Sequence, residues 1–262
     1  MKLCKILVVL FVLSYSVFAK SGLELGVFVP LGFNIGIHYY DKAPSGLNNQ
    51  QSAAYNTYVT NNTRTSHIGY DAGALFQAGY RLELNKEISF SFMGELGYSR
   101  DTFNYRLKDS SNTGSQVLKF QNYRYYTFDS LVIGILPKFN YKRFSLGIGV
   151  GMKIFLSGTI NNSSYNPTLG YTTETIKMID TKNYKDYFTS NVMAYFKLTL
   201  DYSVYTSRNF DIVVGAYIDY DFALRYQIKG SKINNNQLDA PIENISSVDL
   251  GIQVGTKIRP MN

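Results

Sequence analysis

The sequence predicts an all-β fold: an eight-stranded antiparallel up-and-down transmembrane β-barrel, preceded by a cleaved signal peptide. Three observations carry this expectation. Apolar residues alternate with other residues in eight separate segments, and one face of each segment is free of charge. The connections between the segments are short and long in turn. The first residues, Met1 to Ala19, have the form of an export signal.

Composition narrows the class first. Of 262 residues, 45% are hydrophobic and 17% charged, with no apolar run of the length a membrane helix needs, about 20 residues. A helical membrane protein is thereby excluded. Tyrosine (23) and phenylalanine (17) are abundant and tryptophan is absent, which is too much aromatic content for a disordered chain. Abundant Tyr, Gly, Asn, Ser and Thr suit strands that face two different solvents and are joined by polar loops.

The N-terminus reads as processed. Lys2 and Lys5 form a positive region, Ile6 to Leu13 is an unbroken apolar run too short to span a bilayer, and Val17-Phe18-Ala19 places small residues before a cut after Ala19. The expected domains are a signal peptide over 1–19 and one barrel domain over 20–262. Processing removes Cys4, the only cysteine, so the mature chain has no disulfide and no thiol nucleophile. Without Lys2 and Lys5, 24 cationic residues face 19 acidic ones, a formal charge of +5. An exported chain seldom meets nucleic acid, so no nucleic-acid partner is expected. Basic loops facing anionic lipopolysaccharide or a host surface fit that charge better.

Each strand is justified by period-two alternation. From Leu23 to Tyr39 every odd position is apolar. Segments 68–84, 88–98, 144–156, 192–204, 210–224 and 248–258 carry their apolar face on even positions, and 131–141 on odd ones. Across the eight segments 58 positions lie on that face and none is charged. The opposite faces carry Glu24, Asp71, Arg81, Glu83, Glu95, Lys138, Lys153, Lys197, Asp201, Asp211, Asp219, Asp221, Asp249 and Lys257. A soluble sandwich puts its charged face in water and packs the other on a second sheet, with strands of about five or six residues. These segments are long enough for tilted membrane strands, and a Lys or Arg facing lipid at mid-bilayer costs about 2–4 kcal/mol.

Connections at 85–87, 142–143 and 207–209 are tight, whereas those near 40–66, 107–126, 158–190 and 227–245 are long. Short turns on one side and long loops on the other put both barrel ends in the periplasm and the long loops outside. Backbone groups cannot stay unpaired in lipid, so the first strand must close against the eighth.

Signal peptide, eight alternating strands, three tight turns and four long loops together resemble the small OmpA/OmpX-type outer-membrane barrels. The resemblance is architectural and covers about 20–259. It implies an integral outer-membrane protein in contact with lipid and lipopolysaccharide, with long loops that meet host or envelope ligands. One feature departs from the family: Arg259-Pro260-Met261-Asn262 follows Ile258, where such barrels usually end on an aromatic residue.

Inside so narrow a barrel, charges must pair. A three-residue turn at 207–209 would set 206 opposite 210 and Lys197 opposite Asp219. A lumen salt-bridge network of Glu95, Lys153, Lys197 and Asp219 is expected, read as a plug rather than an ion gate. The inward glycines Gly26, Gly32, Gly36, Gly147, Gly149 and Gly151 are expected to make room for large inward neighbours. The two histidines, His38 and His67, should both face inward at the outer rim. With Asp41, Asp71 and Ser66 they offer a weak hydrolase or acyltransferase set, or a metal set. Neither G-x-S-x-G nor H-E-x-x-H is present. The expectation is therefore a non-enzyme without cofactor or metal, its rim tyrosines forming girdles and its loop tyrosines Tyr55, Tyr58, Tyr165 and Tyr171 making contacts. The leading expected role is structural or adhesive. The alternatives are a narrow pore for small solutes and, behind it, an outer-membrane lipid or peptide hydrolase or acyltransferase using His38 and His67.

Overall fold

A computed structural model of the chain describes residues 22–107, 123–166, 171–207, 209–227, 230–233 and 238–258. The expected signal peptide, the site of the proposed cut and the residues after Ile258 lie outside these.

Eight long strands form the wall. They are β1 (Gly22–Tyr40), β2 (Arg64–Glu83), β3 (Ile88–Leu107), β4 (Tyr123–Tyr141), β5 (Phe144–Asn166), β7 (Val192–Thr206), β8 (Phe210–Tyr226) and β11 (Glu243–Ile258). Each pairs antiparallel with its neighbours in the order β4-β3-β2-β1-β11-β8-β7-β5, and β4 pairs again with β5, so the ring is closed. The seam joins the first strand to the last, from Leu25 opposite Ile258 to Tyr40 opposite Glu243. Closure leaves no sheet edge in hydrocarbon. No described helix is long and apolar enough to cross a membrane; the strands make the crossing.

The chargeless face points outward. Phe33, Phe92, Ile135 and Ile252 are each exposed by more than half of their surface. So large a continuous apolar surface has no place in water and marks the lipid belt. At one end the belt stops at the tight turns. There Lys142 adopts a left-handed backbone (φ 53°), closing the two-residue turn that sets Tyr141 opposite Phe144. At the other end it stops near Ile35, Tyr70, Tyr98, Leu156 and Phe222, all exposed.

Beyond that outer edge the strands continue. β3 reaches Leu107, β4 begins at Tyr123 and β5 runs to Asn166. The sequence pattern stops earlier because the outward positions are no longer apolar once water replaces lipid. Irregularities in pairing cluster at this level, between His67 and Asp71, Asp129 and Ser130, and Ile245 and Ser247. Each shifts register by a residue and so reverses which parity faces inward. Leu224, expected on the lipid face, is buried as a result.

The long connections carry structure of their own. Asn49–Asn62 is a helix, α1, opened by a capping box in which Asn48 accepts from Gln51 N at 2.8 Å and Gln51 returns the bond. β6 (Tyr171–Asp180) pairs with the upper half of β5, and β9 (Lys232–Ile233) pairs with β10 (Leu238–Asp239).

Candidate functional site

The lumen is filled in tiers, each built from inward residues of several strands. Nearest the tight turns, Lys138 donates to Asp201 (3.1 Å) and Gln77 (2.9 Å) and sits 4.8 Å from the centre of the Phe28 ring. Lys257 lies 3.6 Å from Asp201, and Ser91 donates to Glu24 at 2.9 Å. Above this, Glu95 accepts from Lys197 (3.0 Å), Gln77 (2.8 Å) and Tyr195 (3.1 Å). Higher still, Lys153 donates to Asp221 at 2.7 Å and Asp101 at 3.3 Å and lies 4.0 Å from Asp219.

Glu95, Lys153, Lys197 and Asp219 are all buried in the lumen. They do not form one closed set. Lys197 stands opposite Asp219 in the sheet, yet its ion pair is with Glu95, across the lumen. The turn itself sets Thr206 opposite Asp211, one residue off the expected register, and an irregularity between Ser203 and Tyr205 restores it. Asp101, beyond the end of the apolar pattern of β3 and outside the expected network, stands beside Lys153 at 3.3 Å.

Glycines accommodate the large inward side chains. A Cβ on Gly32 would stand 2.4 Å from the Tyr217 hydroxyl, and one on Gly151 2.7 Å from the Tyr195 ring.

Above the charged tiers lies an aromatic plug. Phe103, Tyr105, Tyr126, Phe128, Phe155 and Tyr226 are buried and face one another, with Phe128 5.4 Å from Phe103 and 5.6 Å from Phe155 between ring centres. Phe188, from the connection after β6, dips into this cluster 5.5 Å from Phe128. Its backbone bridges to Tyr226, and Gln227 N donates to Tyr187 O at 2.7 Å. Tyr105, Tyr126 and Tyr226, near the outer rim in sequence, are thus plug residues and take no part in an outer girdle. Tyr39, Tyr70 and Tyr98 do face outward.

At the outer rim one carboxylate gathers the cations. Glu243 lies 2.9 Å from His38 Nε2, 3.1 Å from Arg124 and 3.4 Å from Arg64, and accepts from Tyr126 at 3.3 Å. This cluster stands beyond Val248, where the lipid-facing positions of β11 end. Burial opposes ionisation of Glu243, but the His38 hydrogen bond and the two guanidinium charges prevail and hold its carboxyl at about 2. A cavity of about 70 Å³ opens beside it, lined by Tyr40, Tyr58, Asn62, Arg64, Arg124 and Glu243 among others. The helix α1 roofs this cavity. Its Tyr55, expected as an exposed loop contact, is buried and donates to Asp41 O at 2.8 Å. Tyr58 stacks edge-on to Tyr40 at 6.2 Å. The side chains of Tyr165 and Tyr171 lie outside the described residues.

His38 and His67 do not share a site. His38 faces inward as expected, whereas His67 is exposed, with its ring 5.6 Å from Tyr123. The cause is the irregularity between His67 and Asp71, which turns Arg64 inward in its place. Ser66 is exposed, and Asp71 is buried below, accepting from Tyr217. Two residues that sequence reasoning missed, Glu243 and Arg124, thus carry the rim. Both lie outside the stretches where apolar alternation signals a strand.

No protein-family model and no curated protein sequence matches this chain. Solved structures resemble it at a distance. Ail, the attachment invasion locus protein of Yersinia pestis, in complex with the heparin analogue sucrose octasulfate, is 12% identical over 88% of this chain and 99% of its own, with a TM-score of 0.31. Neisserial surface protein A gives 12% identity over 91% and 99%, with a TM-score of 0.36. The outer membrane protease OmpT from Escherichia coli gives 10% over 90% and 96%, with a TM-score of 0.43. The fold rests on the strand pairings themselves: with its ring closed and its apolar belt outward, the chain is an integral eight-stranded β-barrel of the outer-membrane type.

Proposed function

We propose that this protein is a closed structural barrel that presents a folded outer cap for binding a host, matrix or envelope component. The observation that carries this reading is the filling of the lumen from the Lys138 tier to the Phe128 plug, with an ordered cap above it. A barrel of eight strands has an interior that side chains alone can fill, and here ion pairs and rings occupy it at every level described. Transport would require the plug to move as a unit. The cap has what a recognition surface needs: a helix seated by Tyr55 and Tyr58, a polar cavity with two arginines, and strands that hold both in place.

Two measurements test it. In planar bilayers the wild-type barrel should show no steady channel, and a large stable conductance would replace this reading with the narrow pore. Cells displaying the barrel should bind at least one member of a panel of host and envelope ligands. That binding should be lost when 49–62 is replaced by a flexible linker. Binding that survives removal of α1 would place recognition elsewhere.

A further inference from the structure

The lumen between the Glu95–Lys197 pair and the aromatic plug holds more negative charge than its ammonium groups balance. Asp71 on β2, Asp101 on β3, Asp219 and Asp221 on β8, and Asp249 on β11 converge there, none more than 8% exposed. Lys197 is engaged by Glu95 at 3.0 Å. That leaves Lys153, whose Nζ lies 2.7 Å from Asp221, 3.3 Å from Asp101, 3.8 Å from Asp249 and 4.0 Å from Asp219. One ammonium cannot neutralise five buried carboxylates. The register sharpens the conflict: Asp71 stands directly opposite Asp101, and Asp249 directly opposite Asp219. Like charges so placed destabilise a sheet, and burial removes the water that would screen them.

The oxygens are placed for a metal ion. One carboxylate oxygen from each of Asp219, Asp221 and Asp249 lies within 4.8 Å of the other two, and the same holds for Asp71, Asp101 and Asp249. Oxygens bound to one calcium at about 2.3–2.6 Å are separated by at most about 4.6–5.2 Å. Two further observations point to an occupant. Asp219 Oδ1, Asp221 Oδ1 and Asp249 Oδ2 are buried and accept no hydrogen bond. An ionised carboxylate can only accept, so such oxygens call for a water donor, a proton or a metal. In addition, a cavity of about 20 Å³, enough for one water-sized particle, touches the cluster on its Asp71, Asp101 and Asp219 side and does not reach Asp221 or Asp249.

We propose that this carboxylate cluster binds a calcium-class divalent cation through Asp219, Asp221 and Asp249, with Asp71 and Asp101 completing the carboxylate ring beside Lys153. All-oxygen, carboxylate-rich donors select calcium over zinc, and their irregular arrangement suits it better than magnesium, which demands near-ideal octahedral geometry. The strands involved, β3, β2, β11 and β8, lie on one arc of the wall with β1 between β2 and β11. Asn34 on β1 joins them by donating to Asp249 at 2.6 Å. The cation therefore staples the arc that contains the β1–β11 closure seam.

The full barrel is refolded in detergent with calcium chloride or with a chelator, desalted, and assayed for metal content by mass spectrometry and for thermal unfolding. The expected result is one calcium per barrel, and a higher melting temperature with calcium than with chelator. Asp249→Asn and Asp219→Asn should each reduce calcium to background and abolish the calcium-dependent rise. Glu24→Gln, in the lowest tier, should change neither. If Asp249→Asn does not fold, Asp219→Asn decides alone. Background calcium in the wild type, or calcium retained in the Asn variants, overturns the proposal. So do metal-free Asn variants more stable than the wild type in both buffers, since repulsion relieved by protons would then explain the cluster. Refolding in a calcium–magnesium mixture that yields only magnesium overturns the calcium assignment.

Discussion

Glu95→Ala is the perturbation whose consequence the lumen defines best. Lys197 Nζ lies 3.0 Å from Glu95, and the Lys197 side chain is 6% exposed. At that separation the attraction is ~5.5 kcal/mol for an effective dielectric of about 20. Desolvation offset much of that attraction when the pair was buried, but it does not return when only one partner is removed. An uncompensated buried ammonium typically costs about 3–5 kcal/mol. Gln77 and Tyr195 also lose their acceptor, although water entering the vacated space would satisfy them in part. Asp219 works the other way. It stands opposite Lys197 and carries an unpartnered oxygen, so in the metal-free barrel Lys197 can turn to it. A loss of about 3 kcal/mol, the low end of the range, is therefore expected. Urea unfolding of the refolded barrel in lipid vesicles, followed by tyrosine fluorescence and gel mobility, measures it. Lys197→Met alone should cost less, because Glu95 keeps two donors. The double change should be no worse than Glu95→Ala, giving a coupling energy of about 2 kcal/mol. Losses that simply add would refute the pairing.

Ile148→Lys puts a charge on the lipid face and should destabilise the barrel by about 2–4 kcal/mol, with Ile148→Leu near wild type by heat-modifiability on gels; equal tolerance of both would mean the faces are misassigned. Gly147→Ala, one residue away, should also destabilise, because its Cβ would lie 2.5 Å from Thr199 Oγ1. At the outer rim, the Glu243 carboxyl is lowered from 4.5 to about 2, so it contributes stability that is complete above about pH 4.5 and lost as pH falls towards about 2. Near-UV circular dichroism should follow cap loosening through that window, and Glu243→Gln should be less stable at neutral pH and lack this acid dependence; an unchanged acid profile in the variant would assign the transition to other groups. An epitope inserted at Asn112 should be reached by antibody on intact cells, and one at 142–143 only after the envelope is opened; reversed labelling would invert the topology.

Strand number, order and facing were legible in the sequence wherever lipid enforces them. A charge on the outer face is costly there, so alternation from Leu131 to Tyr141 or Phe144 to Leu156 is unbroken and announces both the strand and its inward side. Legibility ended at the water line. Phe103 and Tyr105 continue the inward row of Asp101 on β3, but polar outward neighbours erase the contrast. Local irregularities then reversed parity without any sequence mark: His67 turned out and Arg64 in. The helix over Asn49–Asn62 was signalled only by the Asn48 and Gln51 capping box, since its polar residues show no apolar stripe. Pairing across the lumen was the least legible feature. Cross-strand neighbours follow from register, which placed Lys197 opposite Asp219, whereas the Lys197–Glu95 contact depends on barrel diameter and side-chain reach.

The change in lumen chemistry with height follows from the same balance. Within the belt one face of every strand is given to hydrocarbon, so the inward face holds the glycines and charges around a small buried cluster of Phe28, Leu75, Val132, Tyr195 and Val213, and ion pairs such as Lys138–Asp201 at 3.1 Å fill the space between. Above the belt the outside is wet. The wall can then be stable only if its apolar residues turn inward, and β3, β4 and β11 all make that turn, at Phe103, Phe128 and Ile245. The outer third is in effect a water-soluble β-core built on a membrane barrel, fastened by Phe188 from one connection and by Tyr55 and Tyr58 from another. Among the described residues this cap is packed without a partner. In the proposed binding role, association would avoid much of the entropy lost when a free loop must order on binding, and the arginines around Glu243 are held in place by the same packing that seals the lumen.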